Sequence, residues 1–417
     1  MRGSDFLPKQ INKRLYLDYG ILIPYLFLSI MGIIMVYSAS SAKLALQGRN
    51  PASDAVKQAA FFVIGLLAVT FIYKMKTRVF QNKNFIMVAI SVISLMLILT
   101  KFTNMGQSGG GADGWLSIGG ITLQPAEFLK IVIIWYLAYI LSRRQNVINS
   151  NFKEAAMKPL ILIGGLIFLV IIQPDNGGAV ILAMIASVMI FASGINYFYT
   201  VVAMGTGIVG SFLAVHGILL TGGLIFPDRF QYVYNRFRTF SNPFIDPLGA
   251  GHQMVNSYYA MSNGGWFGLG IGNSIQKKGF LPEAQTDFMF SIVIEELGLV
   301  ISFIILGILL FLILRILIIG IKSKNTFNSM MCIGIGGMML IQTFINIGGI
   351  TGIIPLTGVT FPFLSQGGSS LITLSIAVGF ALNISADEKK LHFDKHNERL
   401  EIEYSKEQTT RMLEYHQ

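Results

Sequence analysis

Three clusters of polar residues border long apolar runs, and each could carry chemistry. The first, in LPEAQTDFMFSIVIEELG, has Asp287 just before such a run. A carboxylate at the boundary between water and hydrocarbon is costly unless it has a partner or a function. Asp287 taken alone fits a helix cap and a general base equally well. Glu283, Lys277 and Lys278 lie shortly before it, an arrangement that suits an anionic ligand beside a base.

The second cluster is GWLSIGGITLQPAEFLK, in which Pro125 can occupy the first turn of a helix. Glu127 and Lys130 are then three residues apart on one helix face and able to pair. They form either a structural ion pair inside a bundle or the lining of a water-filled cavity. Trp115 fits an aromatic anchor at the membrane interface as well as a substrate contact.

The third cluster runs from Asn346 to Ser370 and is rich in proline and glycine. Pro355 and Pro362, with glycines around them, prevent one continuous helix. Broken backbone at membrane depth is tolerated only against protein or a wet cavity, so this segment is a candidate cavity wall. A plain outer turn is the alternative.

The elements that must position these clusters are membrane helices. Hydrophobic residues make up 53% of the 417 and charged residues only 12%, about half the charge of a soluble domain. Uncharged apolar windows of about 18 residues predict bilayer-spanning helices. We predict an all-α integral membrane protein with spans at about 19–38, 56–73, 84–100, 125–142, 159–173, 178–194, 198–219, 288–320, 328–348 and 367–385.

The basic residues predict the orientation of these spans. Of the 31 Lys and Arg, 21 fall in the segments 1–18, 74–83, 143–158, 315–324 and 386–417, and by the positive-inside rule these segments are cytoplasmic. Both termini are then inside, and the three clusters face outward. The predicted organisation is an N-terminal cytoplasmic segment (1–18), a polytopic domain (19–385) with one long outer loop (220–287) between helices 7 and 8, and a charged cytoplasmic tail (386–417).

Several other function classes are disfavoured. The net charge of +10 follows the topology, so we expect no nucleic-acid partner. The single cysteine, Cys332, cannot form an intrachain disulfide and fits a small core residue. Gly268, Gly270 and Gly272 imitate a dinucleotide fingerprint, but no strand or βαβ unit surrounds them. A loop folded tightly on the membrane surface explains them better.

The chain resembles the SEDS family (shape, elongation, division and sporulation) of peptidoglycan glycosyltransferases. The matching stretches are LPEAQTDFMFSIVIEELG, PLTGVTFPFLSQGGSS, GWLSIGGITLQPAEFLK, QPDNGG and RFRTFSNPFIDPLGAGHQ. GNSIQKKGFLPEA and Thr360 in GVTFPF resemble the division branch, FtsW, more than the elongation branch, RodA. Three positions depart from the family pattern: Gly114, Gln285 and Gln366 stand where basic, His and Tyr residues are common.

The resemblance implies a ten-span fold and a polymerase of lipid II, the undecaprenyl-pyrophosphate disaccharide-pentapeptide. It assigns the essential carboxylate to Asp287 and a functional tryptophan to Trp115. It also implies a monofunctional class B transpeptidase (a penicillin-binding protein) as partner, alongside other membrane proteins of the division complex. The expected place is the cytoplasmic membrane of a bacterium, at the division septum.

The implied reaction defines the remaining site predictions. A sugar 4-hydroxyl attacks the anomeric carbon of a second sugar, with Asp287 as base, and lipid pyrophosphate leaves. The leaving group needs positive charge from basic side chains or from a divalent cation, Mg or Mn. We therefore predict substrate contacts at Trp115, Glu127, Lys130, Arg236, Lys277, Glu283 and Ser365. A lipid II flippase or a non-catalytic division scaffold are the alternatives, and neither needs Asp287 at the junction of loop and membrane.

Overall fold

The computed structural model describes residues 13–103, 106–109, 112–118, 121–148, 152–195, 197–220, 240–249 and 251–415. Helices dominate these residues. In chain order they are α1 (Tyr19–Leu46), α2 (Ser53–Lys74), α3 (Thr77–Phe80), α4 (Lys83–Phe102), α5 (Pro125–Arg143), α6 (Gln145–Ile148), α7 (Phe152–Ile172), α8 (Asn176–Ala192), α9 (Tyr197–Leu220), α10 (His252–Gly264), α11 (Met289–Lys322), α12 (Thr326–Ile350) and α13 (Gly368–Tyr415).

Each predicted span coincides with one of these helices. Among the described residues, seven helices are long and apolar enough to cross a membrane, namely α1, α2, α4, α5, α11, α12 and α13, while α7 and α8 contribute shorter apolar stretches. The prediction of an all-α, multi-pass membrane protein is confirmed. The count of ten spans stays a prediction, because it also requires α7, α8 and α9, which are not among these seven helices.

Local sequence explains where several helices begin. Asp18 precedes α1 and accepts a hydrogen bond from the Gly20 amide at 3.1 Å. Pro125 occupies the first turn of α5, as predicted from the sequence. Asn325 precedes α12, and its side-chain oxygen accepts from the amides of Phe327 and Asn328. Each cap satisfies backbone donors that a helix start leaves unpaired.

Two features of the long helices are not evident from the sequence. Within α11, Gly298 has φ +77°, so the helix is broken there rather than continuous. The last helix, α13, continues without interruption from Gly368 to Tyr415. The charged tail predicted from residue 386 is therefore helical and continues the last span up to Tyr415, and its cytoplasmic location stays a prediction.

A small antiparallel sheet also interrupts the all-helical pattern in the outward segment before α5. Its strands are β1 (Gly106–Gly109), β2 (Ala112–Ile118) and β3 (Ile121–Leu123), in the order β1-β2-β3. The glycine-rich sequence of this segment hides the strands, because glycine weakens any strand pattern. The sheet carries Trp115 on β2, where it lies opposite Gln107 of β1.

The helix ends form two polar layers. At the inner end, predicted to be cytoplasmic, Asp18 contacts Arg315 at 3.0 Å, Lys389 at 3.1 Å and the Ser385 hydroxyl at 2.7 Å. Burial acts to raise the pKa of Asp18, but the hydrogen bonds from Ser385, Arg315 and Lys389 outweigh it and hold the pKa below its ordinary value. At the opposite, outer end lie the three clusters singled out in the sequence.

Candidate active site

Asp287 lies in the turn that leads into α11 and is half-buried. The N-cap residue of α11 is Phe288, one residue after Asp287, and the Phe288 side chain makes no capping hydrogen bond. Asp287 therefore does not occupy the N-cap position itself. A carboxylate near a membrane is costly unless it has a partner or a function, so Asp287 stays a candidate base.

The main chain around Asp287 is held by the segment that links α12 to α13, residues 351–367, which we call the 351–367 segment. Asn346, near the end of α12, donates one hydrogen bond to the Asp287 carbonyl and another to the Val359 carbonyl, both at 2.7 Å. The amide of Gln366 donates to the Gln285 carbonyl at 2.8 Å. Hydrogen bonds thus join the turn and the segment into one unit.

Ser365 belongs to this unit and is 5% exposed. Its hydroxyl donates to the Thr286 carbonyl at 2.5 Å and accepts from the Phe361 amide at 2.9 Å. With both bonds made to backbone groups, Ser365 positions the turn that carries Asp287. The geometry favours this positioning role over the predicted substrate contact.

Glu283 begins the same turn, with φ +56°. Its carbonyl accepts from the Thr286 amide at 3.1 Å, and its Oε2 accepts from the Thr286 hydroxyl, also at 3.1 Å. Glu283 therefore shapes the turn that leads to Asp287. Its carboxylate binds the Thr286 hydroxyl of the turn itself, and the predicted substrate contact of Glu283 stays a prediction.

The Asp287 carboxylate faces the 351–367 segment at Gly358. A β-carbon at Gly358 would lie 3.5 Å from Asp287 Oδ2, and Gly358 has φ +77°, a conformation that side chains rarely adopt. On the other flank, a β-carbon at Gly177 would lie only 2.5 Å from the Thr357 carbonyl. The 351–367 segment thus lies between Asp287 and the start of α8.

The first turns of α5 and α8 carry a second group of charges, which we call the open set: Glu127 and Lys130 on α5, and Asp175 at the N-cap of α8. Lys130 Nζ lies 2.7 Å from Glu127 Oε1, and the exposed side-chain fractions are 3% and 14%. Asp175 accepts from the Gly178 amide at 2.8 Å and from Gln124 Nε2 at 3.1 Å. Burial raises the pKa of Asp175 above its ordinary value, opposed by the Gly178 amide and by the Lys130 charge.

The strand that carries Trp115 lies against Gln173. A β-carbon at the preceding Gly114 would lie 3.2 Å from Gln173 Oε1. Gln173 is fully buried, and its Nε2 donates to the Leu97 carbonyl at 2.8 Å and to the Thr100 hydroxyl at 2.9 Å. Gln173 precedes Asp175 by two residues. The sheet and the open set therefore both lie next to the turn between α7 and α8.

Lys277 occupies a different place. It belongs to what we call the closed set, with Glu295 and Glu296. Its Nζ lies 2.6 Å from Glu296 Oε1 and 2.9 Å from the Ser38 hydroxyl, with exposed side-chain fractions of 3% for Lys277 and 0% for Glu296. An ammonium buried and paired in this way disfavours the predicted contact of Lys277 with pyrophosphate. Arg236 lies outside the described residues.

Sequence reasoning missed two residues that hold the site together. Asp175 lies in QPDNGG, a stretch used only for its resemblance, although an Asp two residues before two glycines and an apolar run is a readable cap signal. Asn346 had no such signal, because its role depends on two carbonyls distant in sequence. Within the described ranges no cluster of three or more His, Cys, Asp and Glu side chains is placed to hold a metal ion, so a divalent cation stays a prediction.

Comparison with known proteins places this geometry in context. A family model described as "Cell cycle protein" (FtsW, RodA, SpoVE) matches residues 20–390. The chain is 45% identical over 400 residues to the probable peptidoglycan glycosyltransferase FtsW of Lactococcus lactis, covering 91% of this chain and 95% of that protein. It is 39% identical over 392 residues to the protein of the same name from Enterococcus hirae, covering 94% and 97%.

A solved structure gives the same picture of the fold. One chain of a structure described as "Structural coordination of polymerization and crosslinking by a peptidoglycan synthase complex" matches with a TM-score of 0.70 and 23% sequence identity. The match covers 89% of this chain and 98% of that chain. At this identity the likeness shows that the folds agree.

Proposed function

This chain belongs to the cell cycle protein family of FtsW, RodA and SpoVE, and from that membership we propose that it is a peptidoglycan glycosyltransferase. It polymerises lipid II into glycan strands at the outer face of the cytoplasmic membrane during cell division. The relatives named as probable peptidoglycan glycosyltransferases FtsW support both the reaction and the division branch.

One observation carries the proposal. Asp287 is held by backbone contacts between two packed elements, and its carboxylate faces a glycine that leaves space beside it. A general base must be fixed in position yet accessible to the hydroxyl whose proton it takes. The hydrogen bonds to the main chain around Asp287 support the first requirement, and its half-buried carboxylate beside Gly358 supports the second.

The chemistry is a single displacement. The acceptor 4-hydroxyl oxygen forms a bond to the donor anomeric carbon, the bond from that carbon to the pyrophosphate oxygen breaks, and the proton passes to Asp287. The α-linked donor is inverted to a β-linkage. Because nothing is hydrolysed, the paired carboxylates of a glycosidase are not needed.

The open set supplies the charge for the leaving group. Pyrophosphate gains negative charge as the bond breaks, and Lys130 is a buried cation whose partner Glu127 is itself partly exposed. Asp175 and Gln124 keep the start of α8 in place beside it. Trp115, on the sheet above, is proposed to contact the sugar or peptide of the substrate.

The orientation follows the basic residues, with both termini in the cytoplasm. Ser241→Cys and Lys76→Cys test this orientation. Both positions are exposed, and they are predicted to lie on opposite sides of the membrane. The native Cys332 is buried and should give little background. An impermeant thiol reagent on intact cells should label position 241 and spare position 76, and the reverse pattern would overturn the orientation.

The solved complex of similar fold couples polymerization with crosslinking, which supports a partner that crosslinks. We propose a class B penicillin-binding protein as that partner, with other membrane proteins of the division complex around it, at the septum. The purified chain, with such a transpeptidase and labelled lipid II, should form glycan polymer. Movement of lipid II between leaflets without polymer would instead favour a flippase, and neither activity would favour a scaffold.

A further inference from the structure

The segment Gly265–Leu281, which we call the glycine-rich loop, connects α10 to the turn that holds Asp287. Its sequence, GWFGLGIGNSIQKKGFL, contains no acidic residue. Six large apolar side chains on it are exposed: Trp266 (66%), Phe267 (85%), Leu269 (38%), Ile271 (57%), Ile275 (45%) and Phe280 (54%). So many exposed apolar side chains on one short loop mark a surface that contacts something other than water.

Several backbone polar groups of the loop have hydrogen-bond partners, which an apolar environment requires. Unpaired backbone groups are too costly to enter lipid, so a non-helical segment there needs partners. The break in α11 at Gly298 provides them. The amides of Leu269 and Gly270 donate to the Glu295 and Glu296 carbonyls at 2.9 Å, and the amides of Leu299 and Val300 donate back to the Gly265 and Trp266 carbonyls at 3.0 and 3.2 Å.

Close approach makes this exchange of hydrogen bonds feasible. A β-carbon at Gly268 would lie 2.3 Å from the Glu296 carbonyl oxygen, and one at Gly298 would lie 2.5 Å from the Gly268 amide. Both glycines have positive φ, +78° and +77°. Side chains at these two positions would push the loop off α11, so the glycines serve backbone docking and not a nucleotide.

The length of α11 fixes the depth of the loop. From Leu299 to Lys322 the helix is about 36 Å long at ~1.5 Å per residue, which already exceeds a hydrocarbon core of about 30 Å. With Lys322 at the inner boundary, Gly298 lies at the outer one. Just beyond the break, Val300, Ile301, Phe303 and Ile304 are 42–63% exposed and form the lipid-facing side of a span. The Trp266 carbonyl accepts from the Val300 amide, so the exposed Trp266 and Phe267 lie beside the start of that surface.

We propose that the glycine-rich loop lies in the outer lipid interface, with its six exposed apolar side chains among the headgroups and upper acyl chains. Lys277 points inward to Glu296, whereas its neighbour Lys278 is exposed and can reach lipid phosphates. The same loop leads directly to Asp287, so this anchor sets the height of the active site above the membrane. The inference does not depend on which reaction Asp287 performs.

Tryptophan fluorescence tests the proposal, because the chain has only three tryptophans, Trp115, Trp135 and Trp266. The full chain and the Trp266→Phe variant are placed in lipid nanodiscs, and their difference spectrum isolates Trp266 without disturbing the buried Trp135. We expect this emission to be lost when acyl chains brominated near the headgroup replace ordinary ones. Aqueous iodide should quench it weakly.

A matched control places tryptophan in a polar outer loop, as Gln47→Trp in the Trp266→Phe background. Gln47 is exposed between α1 and α2, so iodide should quench this tryptophan and brominated lipid should not. Strong quenching of Trp266 by iodide with no effect of brominated lipid would overturn the proposal. Resistance to both quenchers would also overturn it, because another protein surface would then cover the loop.

Discussion

The open set and the closed set contain the same charges, two carboxylates and one lysine, yet their surroundings differ. In the closed set both oxygens of Glu296 accept from the Ser38 hydroxyl at 2.7 Å. Glu295 accepts from the Asn263 side chain and from the Ile275 and Gln276 amides. In the open set the resolved contact of the Glu127 carboxylate is to Lys130, and 14% of the Glu127 side chain is exposed.

This difference separates a structural ion pair from a candidate binding site. A buried carboxylate whose oxygens already accept several protein hydrogen bonds has little capacity for a ligand, and its lysine cannot leave it cheaply. A pair that retains unfilled acceptor and donor capacity can exchange partners when a charged substrate enters. The two sets contain the same residue charges, and the lysine side chain is 3% exposed in both. Neither property therefore distinguishes a structural pair from a binding site.

The largest effect is expected from breaking the closed set. Lys277→Met leaves Glu296 charged and unpaired at 0% exposure, which should destabilise the fold by roughly 3–5 kcal/mol. Thermal unfolding in detergent measures the loss. The double variant Lys277→Met with Glu296→Gln should recover much of it, and a single variant as stable as the parent would refute the closed-set description.

Breaking the open set should affect activity more than folding. Lys130→Met removes the cation proposed for the leaving group, and polymer formation from lipid II should fall by about a hundredfold, as for other lost electrostatic stabilisers. Because Glu127 is partly exposed, the unfolding temperature should fall less than for Lys277→Met.

The double variant Glu127→Lys with Lys130→Glu distinguishes the need for an ion pair from the need for each charge at its own position. It keeps an ion pair three residues apart but moves the negative charge to position 130. We expect stability to return and polymerisation to stay low. Full recovery of polymerisation would show that only the pair matters, and both residues would leave the site.

A smaller effect is expected from pH through Asp175. Its folded-state pKa lies above the ordinary value of 3.8, mainly because of burial, so the folded chain binds the proton more tightly than the unfolded chain. Stability should therefore fall as the pH rises from the ordinary value to the raised one, and stay level outside that window. Asp175→Asn should lose this dependence in thermal unfolding across pH, whereas an unchanged pH profile would contradict the burial argument.

The smallest effect is expected at a third lysine pair, Lys57 with Asp54. It has the same spacing of three residues as Lys130 with Glu127, but its charged atoms are 3.9 Å apart and Lys57 is 62% exposed. Lys57→Met should change stability by less than ~1 kcal/mol and leave polymerisation unchanged. A large loss of activity here would mean that spacing, and not enclosure, defines the open set.

The sequence predicts the membrane helices well, because a bilayer imposes one strong rule. Every apolar run must become a helix that satisfies its own backbone, so the predicted spans fall on helices. The break at Gly298 escapes this rule. Its donors and acceptors come from the glycine-rich loop, and such pairing between distant segments leaves no local periodicity.

The site is predictable in part. Asp287, Glu127 and Lys130 stand out because charged residues near hydrocarbon are rare and costly. Lys277 stood out as a positive charge shortly before Asp287, and the sequence could not show that Ser38 and Glu296 enclose it. Which charges are saturated depends on contacts between residues far apart in the chain. That information exists only in the fold.

The proposed reaction needs Asp287 as the base, and one variant tests this role most directly. Asp287→Asn keeps the size of the side chain but cannot take a proton near neutral pH. Glycan polymer from lipid II should therefore fall by at least about a hundredfold in the complex with the transpeptidase. The matched control is Asp54→Asn in the outer turn of α2, which should polymerise normally. Unfolding temperature and partner binding should match the parent in both variants, and near-normal polymer from Asp287→Asn would contradict the assignment.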